Sequence, residues 1–211
     1  MKAYSILTLA FFTSFNKMNA QTTNNIAGTY YLQGVMETGS GIKLNEDSSF
    51  EFFYSYGALD RYGSGKWSLQ NNNVVLNSRP YPGSDFKMLA SGTDNNKFTT
   101  VKIEEKNPAF FSFVYCMVKT KSGDTLLRSD SHGYIKVPGK TIDTIHLLFK
   151  LCPEKVSTFT LNIAKHNVFT FGFEPWIVEV FFKDFNLQFV TDHLEGKHPL
   201  LGEKVYQYLK E

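Results

Sequence analysis

From Gly28 onward, apolar and polar positions alternate with a period of two through most of the chain, the pattern of half-buried strands. In Ser49–Tyr56 the alternation puts Phe50, Phe52, Tyr54 and Tyr56 on one face and Glu51, Phe53 and Ser55 on the other. Comparable runs predict strands over Gly28–Met36, Gly41–Leu44, Tyr62–Leu69 and Val74–Asn77. Between them lie turn residues such as Thr38-Gly39-Ser40-Gly41, Asn45-Glu46-Asp47-Ser48 and Gln70-Asn71-Asn72-Asn73. Ser78–Asn96 is rich in Pro, Gly, Asp and Asn, with Phe86–Leu89 as its one possible strand, and reads as a boundary. Ten more strands follow, among them Phe110–Lys119, Thr144–Leu151, Trp176–Phe182, Leu187–Val190 and Lys204–Leu209. Helical periodicity is absent, so the expected class is all-β: a small antiparallel meander or partial barrel followed by a β-sandwich. The corresponding division is 1–20 a signal peptide, 21–90 the meander and 91–211 the sandwich.

Composition agrees with strands, since 16% of the 211 residues are aromatic, with 20 Phe and 11 Tyr. The first twenty residues have Lys2, then the apolar stretch Tyr4–Phe15 and a small residue, Ala20. That stretch is too short to span a bilayer and fits a cleaved signal, the alternative being a buried first strand. The protein is therefore expected to be periplasmic or secreted. Lys2 and Lys17 leave with the signal, so 22 basic residues become 20, against 20 acidic ones. A neutral mature chain gives no electrostatic case for nucleic acid, and no further apolar run has membrane length. Cys116 and Cys152 both sit in apolar contexts. Export permits a disulfide, burial permits two inert thiols, and two cysteines give no spacing that decides.

Two sets of residues resemble known families. Gly28-x-Tyr30, Asp47-Ser48-Ser49-Phe50 and Gly65-Lys66-Trp67 resemble the repeated grammar of lipocalin-like domains over roughly residues 26–77. Ser48 stands where that grammar has Gly, and lipocalins need eight strands. Val118–Leu126 followed by Ser129-Asp130-Ser131-His132-Gly133-Tyr134-Ile135 is similar to transthyretin-like or carboxypeptidase-regulatory-like sandwiches. Both resemblances imply binding or accessory modules, and neither carries over a catalytic residue.

Candidate chemistry is sparse. Asp192-His193-x-Glu195-x-x-His198 is the densest set of possible ligands, and an ordinary polar loop is the plainer account of it, so no metal and no cofactor are expected. Asp130-Ser131-His132 reads as a tight turn rather than a triad, because adjacent residues on an extended chain diverge. Asp60-Arg61 lies between aromatic strands: it is either a solvated hairpin ion pair, the plainer reading, or a charged pair orienting a ligand at a barrel mouth. The expected ligand-binding residues are Phe52, Tyr54, Tyr56, Asp60, Arg61 and Tyr62. The expected function is a non-enzymatic exported protein that binds a small apolar ligand or a protein partner. The alternative is an exported hydrolase, or an enzyme's accessory domain, that assembles Asp60, Asp130, His132 and His193 through the fold.

Overall fold

The computed structural model describes residues 26–120, 123–138 and 142–211, so the expected signal segment and its expected cut after Ala20 lie outside the described residues. The chain is all-β, with two bodies. Strands β1 (Gly28–Leu32), β2 (Thr38–Leu44), β3 (Ser49–Tyr56), β4 (Leu59–Gln70) and β5 (Asn73–Asn77) form an antiparallel meander. The meander does not close on itself. The barrel is completed by the last three strands of the chain, β14 (Phe185–Val190), β15 (His193–Lys197) and β16 (Val205–Lys210), with β14 pairing with β5 and β16 with β1. A closed eight-stranded barrel leaves no edge open.

Everything between β5 and β14 is an insertion. Strands β6 (Phe86–Gly92), β7 (Thr99–Glu104) and β10 (Tyr134–Val137) form one sheet with β13 (Val168–Phe173), in the order β10-β7-β13-β6. Strands β8 (Val114–Thr120), β9 (Gly123–Arg128), β11 (Thr144–Phe149) and β12 (Val156–Thr160) form the other, in the order β12-β11-β8-β9. The sheets share one core, to which Val101, Ile135 and Phe169 come from the first and Val118, Ile145 and Leu147 from the second. This is a β-sandwich.

The partial barrel expected up to residue 90 is therefore a closed one, and the sandwich expected over 91–211 ends at Phe173. The physical reason lies in the last strands. Leu187, Leu194 and Tyr208 alternate inward and fill the barrel beside Tyr30, Phe50 and Trp67. The boundary expected over Ser78–Asn96 is narrower: the chain crosses between the bodies in residues 78–85, and Phe86–Gly92 is already a sandwich strand. Trp176–Phe182, expected as a strand, is the return crossing, turned by hydrogen bonds from the Ile177 N–H to the Glu174 carbonyl (3.1 Å) and from the Glu179 N–H to the Trp176 carbonyl (2.9 Å). Its apolar residues divide between the two cores, with Ile177 in the sandwich and Val180 and Phe182 in the barrel. His193–Lys197, expected as a loop, is a strand because Leu194 is wholly buried and both neighbouring strands pair with it. The start of the expected strand Phe110–Lys119 is instead a 3-10 turn, Pro108–Phe113, capped by the Asn107 side chain.

Local chemistry explains the barrel's details. The Trp67 indole N–H donates to the Asn45 carbonyl (2.9 Å) and its backbone N–H to the Ser48 carbonyl (2.8 Å), so this residue ties down the β2–β3 turn. Ser48 holds φ at +63°, a region where glycine is at ease and serine is not. Asp47 compensates by accepting from the Ser49 hydroxyl (2.5 Å) and the Ser49 N–H (2.8 Å), which together hold its carboxyl below the ordinary range. Gly63 lies inside β4. A Cβ there would come 2.7 Å from both the Phe182 ring and the Val180 carbonyl, so glycine is what lets the return crossing press against the barrel.

Candidate functional site

The barrel interior is filled by the protein's own side chains. Phe182 enters from the crossing and meets Phe50 and Phe52 edge to face, each at 5.2 Å between centroids. Phe52 itself is 2% exposed. A wider cleft of about 530 Å³ lies on the sandwich, among Lys87, Lys102, Glu104, Lys106 and His132; the space beside the barrel is at its mouth, where the sandwich abuts it. There a cleft of about 250 Å³ has walls from three sources. Tyr54, Leu59 and Arg61 come from the β3–β4 hairpin, Pro199, Leu200 and Gly202 from the β15–β16 connection, and Leu151, Pro153 and Glu154 from the β11–β12 turn of the sandwich.

Six residues were expected to bind ligand, and the structure separates them. Tyr54 and Arg61 line the cleft. Phe52 is sealed in the core, Tyr56 stands beyond the barrel rim at 51% exposure, and Asp60 and Tyr62 point outward. Period-2 geometry is the reason: Asp60 and Tyr62 are outward on the strand that turns Arg61 inward. The solvated Asp60–Arg61 pair is therefore absent, and the Arg61 side chain is only 2% exposed.

A buried guanidinium needs a counter-charge. Arg61 Nη2 donates to Glu154 Oε1 and Nε to the Val178 carbonyl (3.3 Å). Nη1 takes no protein partner among the described residues. Glu154 is held by its neighbour. Lys155 Nζ donates to the carbonyls of Ile177 (2.9 Å), Glu179 (3.2 Å) and Trp176 (3.4 Å) and lies 3.1 Å from Asp85 Oδ2. With the ammonium protons directed at carbonyls, Asp85 Oδ2 has an ion pair but no well-aligned hydrogen bond. Burial raises the Asp85 carboxyl, and Lys155 opposes that rise. Both crossings thus bind the β11–β12 turn, which presents Glu154 to Arg61.

Behind the cleft sits His198, 2% exposed. The Leu200 N–H donates to its Nδ1 (3.1 Å), so that nitrogen carries no proton. The other nitrogen, Nε2, then donates to Ser40 Oγ (3.0 Å), whose own proton goes to the Phe53 carbonyl (2.7 Å). Phe52, Tyr54, Tyr206 and Tyr208 surround the ring. Burial pulls the imidazole down from an ordinary 6.5 to about 4. His198 is therefore a neutral strut for the loop that walls the cleft.

The other candidate groups do not converge. His193 faces outward between Glu195 (3.0 Å) and Asp192 (3.2 Å), which raise its affinity for a proton. His198 faces inward, so the Asp192–His198 set is split across the barrel wall. No cluster of three or more His, Cys, Asp or Glu side chains able to hold a metal ion is found among the described residues. Asp130 Oδ1 accepts from the N–H groups of His132 and Tyr134, both at 2.9 Å, which makes the expected turn. Cys116 and Cys152 are buried free thiols, pushed up to about 12 and about 11 by burial. No helix among the described residues is long and apolar enough to cross a membrane.

Sequence reasoning missed Glu154, Lys155 and Phe182. The first two had a signal: Pro153-Glu154-Lys155 sets a proline and two charges directly after an apolar run that closes on a buried cysteine. Phe182 had none, because its run reads like any core strand. Comparison with protein-family models, with curated proteins and with solved structures finds no match.

Proposed function

We propose that this is an exported, non-enzymatic protein that binds a small molecule in the cleft at the barrel mouth. The observation that carries the reading is Arg61: a buried guanidinium whose Nη1 has no hydrogen bond among the described residues, at a cleft whose other walls are largely apolar. The filled barrel argues against a ligand lodged inside it, so the mouth replaces the interior expected of a lipocalin-like barrel. The hydrolase alternative finds less support. Asp60, Asp130 and His132 are exposed on different turns and strands, and His193 is committed to two carboxylates on the outer wall.

Native mass spectrometry of the protein purified from its source tests the reading. We expect a retained small molecule that is lost when Leu59→Trp fills the cleft. Equal retention by the variant, or none by either protein, refutes the site. Export is tested by N-terminal sequencing, which should start at Gln21; an intact Met1 in a soluble cytoplasmic pool refutes it.

A second reading rests on the outer wall. Leu209, Tyr31, Gly41, Phe53 and Tyr62 are successive register partners across five strands. The four apolar side chains among them are 39–49% exposed, with Tyr31 and Phe53 edge to face at 5.9 Å. A row of this kind suits a protein partner. It is favoured over the cleft if Phe53→Ser abolishes a stoichiometric complex that Leu59→Trp leaves intact.

A further inference from the structure

We infer that the cleft recognises a carboxylate with a small apolar body, which replaces Glu154 on Arg61. The inference deepens the cleft reading above and rests on it. Arg61 and Glu154 are the only charged side chains that line the cleft among the described residues. They are unequal partners. Arg61 is 2% exposed and anchored through Nε to the Val178 carbonyl, whereas the Glu154 side chain is 41% exposed. The acid is therefore the exchangeable half, and it can swing into water at little cost in solvation.

Glu154 uses only Nη2, and Nη1 is unused. A planar carboxylate placed in the cleft can take Nη1 and Nη2 together, in the bidentate geometry that guanidinium groups favour. One negative charge enters as another leaves, so the site stays neutral throughout. A dianion would leave a surplus charge in a poorly solvated space. Next to Arg61, Tyr54, Leu59, Leu151, Pro153 and Leu200 offer apolar contact to whatever body the carboxylate carries. Glu154 in the unliganded protein is then a built-in surrogate: it neutralises Arg61 until a free acid arrives.

The test removes the surrogate and supplies replacements from solution. In Glu154→Ala, sodium acetate should raise the melting temperature saturably, and sodium chloride at equal ionic strength should not. Sodium benzoate should half-saturate at no more than about one-tenth the acetate concentration, because its ring buries apolar area against the walls. Wild type should bind benzoate about ten-fold more weakly than Glu154→Ala, since it must first displace its own carboxylate, a cost of about 1.4 kcal/mol. Benzamide and inorganic phosphate should bind neither protein at these concentrations.

If benzamide matches benzoate, carboxylate recognition is refuted while the cleft reading stands. If phosphate or chloride matches acetate, Arg61 is a general anion site and the inference falls. If no probe binds either protein, the inference and the cleft reading fall together. Because Glu154 is half in solvent, the Glu154→Ala variant is expected to fold. Should it not, Glu154→Gln with the same probes decides between the same outcomes.

Discussion

The barrel and the sandwich solve one problem in opposite ways. The sandwich is continuous in sequence, from Phe86 to Phe173, and leaves β6, β9, β10 and β12 as edge strands. The barrel has no edges but is discontinuous, with five strands from before the insertion and three from after it. Their interiors differ too. The sandwich is lined chiefly by aliphatic residues, phenylalanines and two thiols, whereas the barrel holds buried Tyr30, Tyr54, Trp67 and Tyr208, whose polar ends need partners. The Tyr30 hydroxyl donates to the Ile26 carbonyl (2.6 Å) and that of Tyr208 to the Lys197 carbonyl (3.1 Å). The difference teaches where function can sit: a body that is stitched from two ends and already manages buried polar groups has, at its rim, the place where both crossings and the sandwich meet.

The strongest test of that contrast ends the chain after Phe173. The sandwich keeps all eight strands and should retain a cooperative melt, while the barrel loses three of eight and should not form. Trp67, 3% exposed in the full chain, is then the sole tryptophan, so its emission should shift to that of a solvated indole. Buried-type emission from the truncated chain would show that the first five strands close without the last three.

Next in size is Phe182→Ala. It removes the ring that the crossing inserts between Phe50, Phe52 and Phe185, and should cost about 3–5 kcal/mol of barrel stability by denaturant titration. The sandwich transition should be unmoved, since Phe182 belongs to the barrel core alone. A loss below about 1 kcal/mol would mean that the barrel fills itself without the crossing.

The smallest effect is one of pH. His198 takes up a proton near 6.5 when unfolded but only near 4 when folded. The unfolded state therefore binds more protons between these values, and stability falls as pH drops from about 6.5 to about 4, by up to about 3 kcal/mol. Above 6.5 the term is fully present. His193 works in the other sense, since its raised affinity adds stability that is lost as pH rises. His198→Gln should flatten the acid limb of the barrel's stability curve and leave the sandwich's unchanged. An unchanged acid limb would show that His198 is already charged in the folded protein.

Much of this architecture could be read from period-2 patterning. The strands of the first meander, the Asp130 turn and the all-β class follow directly from it. What stayed hidden was non-local. Nothing in Leu187, Leu194 or Tyr208 says that they face Tyr30 rather than Val101, because a strand's pattern records that one face is buried and not against what. The same gap explains the site. Tyr54 is legible as inward from its alternation, but Arg61 reads first as half of a solvated pair with Asp60, and its actual partner lies 93 residues away on the sandwich. Asp60 and Tyr62 were grouped with Arg61 through adjacency, which strand geometry turns into opposition.

One pairing has a kinetic meaning. Phe86 and Phe173, the first and last residues of the sandwich's terminal strands, sit opposite each other in register. Between Asn77 and Phe185 there are 107 residues, and closing a disordered loop of that length is slow and costly in entropy. Once the sandwich has folded, only the two crossings, about 19 residues together, still contribute to that loop, which lowers the closure cost by about 1.5 kcal/mol on the logarithmic dependence. The insertion thus serves as a clasp. A sandwich that folds first would deliver β14 to β5, turning a long-range search into a local one, and the expected outcome is that barrel refolding after a denaturant jump never outruns the sandwich.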